Sequence, residues 1–549
     1  RIQKMHGKED VASFVLGMHL RSTFLKRFLP LKFPANTSQR CLRPVATTVN
    51  ASAESTVYAL STSPGRSAVA VIRITGPAAS QIVSSMTQKP VPPARVAARR
   101  SLLHPVTGEC LDDALVMFFP GPRSFSGEDM AELHVHGSRA VIQDTLDAIP
   151  LASTVGSIRP AEPGEFTRRA FENGKFGLTE VEGLADLINS ETQAQRRQAL
   201  RQMGGSLQKL YEGWRHDLIK SLARLEAVID FGDTEEIESK EICAQVEPLV
   251  RSMRDSMLAH LNDSRRGERL RDGLTVAIVG PPNAGKSSFL NLLAQRPAAI
   301  VSSIPGTTRD VIEIALNLGG YPVTLADTAG IRATDDAVEL EGVRRARERF
   351  SQSDIKLLIL PIHQYLPSSE SEDKPLAYFP DSDSLALADS DTIVILNKCD
   401  VGGLDGAYIP LTAEGGLLDE STNITARATQ SLVSTLMKQT AGRHILGFAV
   451  ISCKTQAGLP ELLSALQNEV KSRLEMGHTD GAIITRARHR HHLQDCVVHL
   501  NRYLENPGLD IVLGAEDLRM AVLSLGRVTG RIDVEEMLDA VFSEFCIGK

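Results

Sequence analysis

The chain has 549 residues, 42% of them hydrophobic and 23% charged, a length and balance typical of roughly three globular domains. Its formal net charge of −7 at pH 7 excludes a global basic field, so any contact with nucleic acid must come from local patches. No apolar run approaches the ~20 residues that span a bilayer. The cysteines are scattered and contain no Cys-x-x-Cys pair, which argues against a disulfide framework or a metal site and favours a reducing compartment.

Residues 1–53 have the composition of a mitochondrial transit peptide. From Met18 to Ala53 the segment is rich in Ser, Thr, Leu and basic residues and carries no acidic one. The chain begins with arginine, and Met18 is a candidate initiator. We therefore expect delivery to the mitochondrial matrix; the alternative is a disordered basic tail.

Residues 56–175 alternate short apolar runs with Pro and Gly turns, which favours an α+β domain. Ser67–Ile74 and Ala114–Phe119 have the pattern of strands. His134 and His136 alternate with apolar residues, which is typical of a strand and makes metal ligation the less favoured interpretation. No Gly-x-Gly-x-x-Gly follows a strand, so the sequence does not support a dinucleotide site.

From about Leu178 to Arg271 the pattern becomes helical, and helical periodicity returns at about residue 484 and continues to residue 549. A stripe of apolar residues at a spacing of three to four predicts packing in a bundle. Its members are Leu218, Leu222, Leu225 and Val228. The simplest architecture is a helical domain interrupted by an inserted domain at 272–470, because two half-bundles can share one core. We expect changes in the inserted domain to move the helices.

The inserted region opens with a phosphate-binding loop. Gly280–Ser287 has the spacing Gly-x-x-x-x-Gly-Lys-Ser and follows the apolar run Val276–Val279. Backbone N–H groups of such a loop point at phosphates, Lys286 reaches the outer ones, and Ser287 binds Mg²⁺ at the start of a helix whose dipole favours anions. Further loop residues are expected at the nucleotide: Asn283, Ala284, Gly285 and Ser288.

Three more motifs follow strand-like runs in the order found in a GTPase. They are Asp327-Thr328-Ala329-Gly330 after Pro322–Ala326, Asn397-Lys398-Cys399-Asp400 after Thr392–Leu396, and Ser452-Cys453-Lys454 after Phe448–Ile451. We expect Asp327 to hold Mg²⁺ through water and the Gly330 N–H to contact the γ-phosphate.

The second of these motifs predicts guanine as the base, recognised by Asn397 and Asp400. The Asp400 carboxylate can accept hydrogen bonds from N1–H and the 2-amino group of guanine, a pair that adenine lacks. Lys398 would lie along the ring, and the Ser452–Lys454 segment would close over it. The sequence therefore favours GTP over ATP.

The residue after Gly330 is Ile331, where small signalling GTPases carry a glutamine that orients water. Another group must supply that catalysis. One candidate is a monovalent cation held by the Asn283 carbonyl and the hydroxyl-rich loop Ser302–Asp310, since hard cations prefer oxygen ligands. The other is Glu339, which would orient water; the alternative for Glu339 is a solvated acid on a charged helix.

The strongest basic run is Arg486–His492. It either contacts RNA phosphates or forms a solvated helix face, and the sequence favours neither.

Taken together, these motifs resemble the MnmE (TrmE) family, the potassium-activated GTPases of tRNA wobble-uridine modification. The resemblance rests on Asn283, Gly306–Asp310, Asp327–Arg332 and the final Cys546-Ile547-Gly548-Lys549. Further segments are similar to that family's folate-binding domain: Pro64–Arg73, Ser126–Asp129, Arg159–Thr167 and Phe171–Lys175. The resemblance covers about residues 56–549.

The resemblance implies a multidomain α/β and α protein. An α+β N-terminal domain (56–175) would bind 5-formyl- or 5,10-methylene-tetrahydrofolate and form the homodimer. The helical domain (176–271 and 471–549) would be interrupted by a Ras-like P-loop GTPase domain (272–470). With a flavin-dependent MnmG/GidA-type partner, which alone carries FAD, it would modify C5 of the wobble uridine of tRNA with a group derived from glycine or taurine.

The resemblance also implies roles for individual residues. The folate-contacting positions are Arg73, Glu132, Lys175 and Lys549. The potassium site is Asn283, Ser302, Ile304 and Thr307, and the Mg²⁺ ligands are Ser287 and Thr308. Glu339 matches the hydrolytic glutamate, and Cys546 the essential cysteine. Ser302 departs from the family's usual threonine, and Pro361–Asp391 and Val401–Gly447 have the character of insertions.

The chemical role of Cys546 stays open at this point. Its thiolate could add to C6 of uridine and make C5 nucleophilic, bind a folate-derived carbon unit, or be structural. Two other classes of function compete with the enzyme. A ribosome-assembly switch GTPase commonly carries an RNA-binding KH module, which this sequence does not show, and a scaffold would only recruit the flavoprotein.

Overall fold

A computed structural model of the protein describes most of the chain between residues 55 and 548. The described residues are 55–230, 236–295, 299–300, 313–327, 348, 350–362, 388–402, 406–410, 445–475, 482–505, 510–532 and 535–548. The predicted transit segment and most of both predicted insertions lie outside them. Among the described residues, no helix combines the length and the apolar character needed to cross a bilayer.

An α+β unit comes first. Its elements are β1 Ser55–Leu60, β2 Ser67–Thr75, α1 Ala79–Thr87, β3 Ala98–Leu103, β4 Cys110–Phe119, β5 Met130–Gly137, α2 Arg139–Ala148 and β6 Ser157–Pro160. The strands form one sheet in the order β3-β4-β5-β2-β1-β6, parallel between β1 and β6 and otherwise antiparallel. Ile72 on β2 and Ile82 on α1 are fully buried in one core. The strands predicted at Ser67–Ile74 and Ala114–Phe119 are confirmed.

Helices follow the sheet. They are α3 Glu165–Glu172, α4 Leu178–Ile188, α5 Gln193–Met203, α6 Ser206–Asp230, α7 Glu236–Leu261 and α8 Arg266–Asp272. A reciprocal cap begins α5, since Thr192 Oγ1 accepts from the Gln195 N–H and Gln195 Oε1 accepts from the Thr192 N–H. In α6, Leu218 and Leu225 of the predicted apolar stripe are buried, which confirms that this stripe faces a core.

The inserted region forms a second sheet. Its elements are β7 Leu274–Val279, α9 Lys286–Ala294, β8 Ala299–Ile300, β9 Glu313–Leu318, β10 Tyr321–Asp327, β11 Ile355–Pro361, β12 Thr392–Asn397, α10 Cys399–Gly402, β13 Ala407–Pro410, β14 Gly447–Ile451 and α11 Leu459–Glu475. The strand order is β13-β14-β12-β11-β7-β10-β9-β8. Strands β14, β12, β11, β7 and β10 are parallel, and apolar clusters cover both sheet faces, which explains their nearly continuous apolar sequences.

The strands predicted before the four nucleotide motifs are all present, in β7, β10, β12 and β14. Parallel strands end at the same edge of a sheet, and loops at the carboxyl ends are where such sheets bind ligands. The four motifs therefore begin at one edge of the sheet.

The helices that follow the second sheet in the chain pack against helices that precede it. They are α12 Ala487–Glu505, α13 Ile511–Thr529 and α14 Glu535–Ser543. Met257 on α7 lies in one buried cluster with Leu493 on α12 and Leu518 on α13. A smaller cluster joins Leu178 on α4 to Phe542 on α14. The helices from the two sides of the inserted sheet thus share apolar cores.

The arginines and His489 of the basic run Arg486–His492 make ion pairs inside the protein. Glu182 on α4 is fully buried and lies 2.7 Å from His489 Nε2 and 2.8 Å from Arg488 Nη2. Arg490 pairs with Glu268 and Asp263, each at 2.6 Å. Both sequence interpretations of this run are therefore wrong for its arginines, because carboxylates distant in the chain hold them in and beside the helical core.

Glu182→Ala is expected to lower the free energy of unfolding of the helical domain by about 3–5 kcal/mol, because His489 and Arg488 would remain in the interior without their anion. Urea unfolding followed by the fluorescence of Trp214, the single tryptophan and a member of the same helical core, measures this loss. The matched control is Glu226→Ala, which breaks an exposed pair with Arg519 and should cost about 1 kcal/mol or less. Equal losses in the two variants would contradict the assignment.

The same carboxylate should contribute to acid sensitivity. Burial alone would raise the pKa of Glu182, but His489, Arg488 and Arg486 outweigh burial and hold that pKa below its ordinary range. A group with a lowered folded-state pKa stabilises the protein above its unfolded-state pKa, about 4.3 for glutamate, and this stabilisation is lost as the pH falls below that value. Below about pH 5, the free energy of unfolding should therefore fall more steeply with decreasing pH in the wild type than in Glu182→Gln.

Candidate functional site

The phosphate-binding loop leaves β7 and enters α9 through two residues in left-handed conformations. Asn283 has φ 62° and Gly285 has φ 100°. A Cβ on Gly285 would collide with Asn397 Nδ2, so glycine is needed there. Lys286 Nζ donates to the carbonyls of Gly280 and Pro281 at 2.8 and 2.9 Å. The loop therefore curls around this ammonium at a helix N-terminus, an arrangement suited to phosphate.

Ser287 and Ser288 lie in the first turn of α9 and are exposed. A hydroxyl oxygen in this position can act as a ligand to a hard cation such as Mg²⁺. The exposure of Ser287 fits the predicted role.

Asn397 joins three of the motif loops. Its Nδ2 donates to the Ala284 carbonyl at 2.8 Å, and its Oδ1 accepts from the N–H groups of Lys398 at 2.8 Å and Cys453 at 3.2 Å. Asn397 is 2% exposed, so these bonds satisfy a buried amide. Sequence reasoning assigned Asn397 to the base and missed this linking role, although a polar residue ending a buried strand was a signal that it needed protein partners.

Asp400 and Ser452, both predicted to lie at the base, are hydrogen-bonded to each other. Ser452 Oγ donates to Asp400 Oδ1 at 2.6 Å and accepts from the Lys454 and Thr455 N–H groups at 3.2 Å. Within the described part of the chain, Asp400 Oδ2 accepts no hydrogen bond, and Asp400 is exposed. One carboxylate oxygen is thus fixed by the protein while the other faces solvent. Burial raises the pKa of neighbouring Cys453 to about 11, so that thiol is neutral.

Several predicted residues lie outside the described residues, and their predicted roles stay predictions. They are Ser302, Ile304, Thr307, Thr308, Thr328, Ala329, Gly330, Glu339 and Lys549.

A second candidate site lies on the first sheet. Arg73 on β2 faces Glu132 on β5, and its Nε and Nη2 donate to Glu132 Oε1 at 3.2 and 3.0 Å. The Arg73 guanidinium lies 5.4 Å from the ring centroid of Phe125 and 5.7 Å from that of Phe166. Lys175 Nζ donates to the Pro122 carbonyl at 3.0 Å, in the loop that carries Phe125. An ion pair whose arginine lies against two aromatic rings suits a flat heterocycle with polar edges.

Arg169 holds the loops around this second site together, a role that sequence reasoning missed. It is 1% exposed, and its guanidinium contacts Glu165 and Glu128 at 3.0 Å and the Ser55 carbonyl at 2.7 Å. Glu165 lies four residues before Arg169 on α3, which was the available local signal. Because Glu128 and Ser55 are distant in the chain, the rest of the contact set could not be inferred.

The C-terminal segment lies against the first domain. Ile547 forms a bridge with Pro163, and Ser61 Oγ donates to the Gly548 carbonyl at 2.8 Å. Gly548 has φ 90°, and a Cβ there would collide with the Leu60 carbonyl. Cys546 is exposed. The predicted cysteine is therefore placed on the domain that carries Arg73 and Glu132.

Among the described residues, one group of three side chains has the spacing of metal ligands: His491, His492 and Asp495. Burial, followed by the charge of Arg488, lowers the pKa of His492 to about 4. The same positive neighbour opposes a bound cation, and we assign no ion to this group.

Two family models match the chain. The GTP-binding protein TrmE N-terminus matches residues 56–175, and the MnmE helical domain matches residues 178–546. Among solved structures, the chain is similar to the G domain of the T. maritima FeoB iron transporter, with 18% identity over 36% of this chain and 98% of that one. The TM-score of this match is 0.22.

Curated relatives cover nearly the whole chain. The chain is 45% identical to the mitochondrial 5-taurinomethyluridine-[tRNA] synthase subunit GTPB3 of Danio rerio, over 90% of this chain and 93% of the relative. It is 46% identical to the tRNA modification GTPase MnmE of Paramagnetospirillum magneticum, over 90% of this chain and 99% of the relative. With the two family models and these relatives agreeing, the chain belongs to the MnmE (TrmE) family.

Proposed function

We propose that this protein is a mitochondrial, potassium-activated GTPase that modifies C5 of the wobble uridine of tRNA. The observation that carries the proposal is the set of hydrogen bonds made by Asn397, which connects the phosphate loop to the two loops expected to hold guanine. The names of the relatives support the tRNA part, since they describe a tRNA modification GTPase and a mitochondrial 5-taurinomethyluridine synthase subunit.

Nucleotide binding would use the phosphate loop and the loop that carries Asp400. The N–H groups at the start of α9 and the Lys286 ammonium would take the phosphates, and the Asp400 carboxylate would take the guanine. Ser287, with Thr308, would hold Mg²⁺. Bound Mg²⁺ and K⁺ would supply positive charge where negative charge develops on the phosphates.

The potassium ligands would include Asn283, whose left-handed backbone lies inside the phosphate loop and whose side chain is exposed. Ser302, Ile304 and Thr307 would complete that site. Glu339 would orient the attacking water. We further expect the two nucleotide-binding domains of a homodimer to associate across their nucleotide faces.

The modification chemistry would be divided between this chain and a flavin-dependent MnmG/GidA-type partner that carries FAD. Arg73 and Glu132 would hold the polar edge of a tetrahydrofolate ring, 5-formyl- or 5,10-methylene-, with Lys175 and Lys549 toward its acidic tail. The proximity of the C-terminal segment to this domain supports a role for Cys546 in the same chemistry. The product would be a 5-carboxymethylaminomethyl- or taurinomethyl-uridine.

Hydrolysis of GTP by the protein without residues 1–53 is expected to be about tenfold or more faster in potassium than in sodium at equal ionic strength, because the cation offsets charge that develops between the β- and γ-phosphates. Asn283→Ala should remove the stimulation. The matched control is Asn291→Ala, an exposed asparagine on α9 outside the loop, which should keep it. Equal rates in both salts would remove the potassium site and favour a switch GTPase instead.

A further inference from the structure

Arg486 lies where the chain returns from the second sheet to the helices, immediately before α12. Its side chain is 9% exposed. Its Nη1 and Nη2 donate to Oε1 and Oε2 of Glu544 at 3.1 and 3.0 Å, a two-pronged pair, and Nη2 also donates to Asp186 Oδ1 at 3.0 Å. Arg486 therefore binds one acid near the end of the chain and another on α4.

Asp186 links Arg486 to the segment by which the chain enters the sheet. Arg271 Nε donates to the same Asp186 Oδ1 at 3.1 Å, and Arg271 precedes β7 by three residues. Gln195 Nε2 donates to the Arg271 carbonyl at 2.8 Å. Arg271, where the chain enters the second sheet, and Arg486, where the chain leaves it, thus bind the same Asp186 carboxylate.

Glu544 links Arg486 to Cys546, two residues later in the chain. On the other side of Cys546, Ile547 and Gly548 are attached to the first domain through Pro163 and Ser61. The exposed Cys546 therefore lies between two attached parts of the chain. Before it, Glu544 is bound to Arg486 beside the second sheet. After it, Ile547 and Gly548 are bound to the first domain.

A cavity of about 150 Å³ with both polar and apolar walls lies beside this junction. Its lining includes Asp186, Gln195, Arg271, Asp272 and Thr485. Its polar side chains and this volume suit ordered water. Such space allows carboxylates and guanidinium groups to exchange partners, which a close-packed apolar junction would resist.

We propose that Arg486 is a positioning residue that sets the placement of the Cys546 thiol through Glu544 and couples it, through Asp186 and Arg271, to movements of the second sheet. The inference rests on the proposed function, in which that sheet binds GTP and Cys546 takes part in modification. A shift of either connection changes how Arg486 divides its donors between Asp186 and Glu544. Glu544 transmits that change to the segment that carries Cys546.

Alkylation by iodoacetamide of the full chain, followed for each cysteine by peptide mass spectrometry, tests the proposal. Cys110 on β4 is also exposed and serves as the internal control. We expect the Cys546 rate to differ by about threefold or more between nucleotide-free protein and protein with GDP, aluminium fluoride and potassium, because access and thiolate fraction set thiol reactivity. The Cys110 rate should stay constant.

Glu544→Gln keeps the side-chain shape and removes the charge that Arg486 binds. It should change the nucleotide-free Cys546 rate and abolish its dependence on nucleotide, without changing the Cys110 rate, and Glu544→Asp should restore part of that dependence. A wild-type-like Cys546 response in Glu544→Gln would overturn the proposal.

Binding of a fluorescent GDP analogue, measured in the same samples, separates two failures. Without nucleotide binding, the proposed GTPase function fails, and the nucleotide-free comparison of Glu544→Gln with wild type still decides whether the pair positions Cys546. With binding but no change at Cys546, the coupling is wrong and the GTPase function stands.

Discussion

Asp400→Asn is expected to weaken GTP binding by about 100-fold or more. The carboxylate would accept two hydrogen bonds from guanine, each worth about 1.5–3 kcal/mol when the acceptor is charged, and about 1.4 kcal/mol corresponds to a factor of ten. An asparagine presents an N–H where one of these acceptors stood, directed at a guanine donor. Equilibrium titration with a fluorescent GTP analogue measures the loss.

The side-chain amide of Asp400→Asn leads to a second expected result, which concerns the binding of XTP. Xanthine has a carbonyl where guanine has its 2-amino group, so an asparagine can donate to it, and XTP should bind the variant better than GTP does. Ser452→Ala is the matched control, since it removes the 2.6 Å bond to Oδ1 but leaves the carboxylate. It should cost about 1 kcal/mol, or roughly fivefold in affinity. Unchanged GTP and XTP affinities in Asp400→Asn would reject this carboxylate as the base-recognition group.

Cys546→Ser is expected to abolish tRNA modification and to leave GTP hydrolysis near the wild-type rate. A serine hydroxyl ionises far less readily than a thiol and is a much weaker nucleophile without an activating base. The exchange is nearly isosteric, and the attachments of Ile547 and Gly548 involve their backbone. Mass spectrometry of nucleosides from tRNA incubated with the protein, its flavoprotein partner and the folate donor measures modification.

Cys110→Ser is the control for this variant, because Cys110 is exposed on the same domain but is attached to none of the tail contacts. It should keep both activities. Loss of both modification and GTP hydrolysis in Cys546→Ser would indicate a structural role for Cys546, and full modification would exclude it from the chemistry.

The sequence predicted the strands and motif loops of the second sheet well because each depends on local information. An apolar run followed by glycine, asparagine or serine at fixed spacing already defines a buried strand and the loop that leaves it. The positions of Asp400 three residues after β12 and of Ser452 directly after β14 follow from that alone. Their mutual hydrogen bond additionally requires β12 and β14 to be neighbours, which strand order determines.

Contacts between segments that are distant in the chain could not be predicted from the sequence. The resemblance pointed to Arg73 and Glu132 separately, but their ion pair depends on the register between β2 and β5. The run Arg486–His492 shows the limit most clearly, because its basic character is visible while its partners on α4 and near α8 are not. Whether an arginine faces a ligand or an internal carboxylate is decided by tertiary packing.

The shared helical core has a consequence for how the chain is made. Its first helices, α6 and α7, are completed by α12 and α13, which leave the ribosome only after the whole second sheet. That interval is roughly 200 residues of synthesis, on the order of 10–40 s at 5–20 residues per second. During it the apolar stripe around Leu218 and Leu225 can pack on α7 but lacks its partner helix α13, so part of it is exposed and prone to aggregation. The nascent half-bundle therefore has the properties of a substrate for holding chaperones.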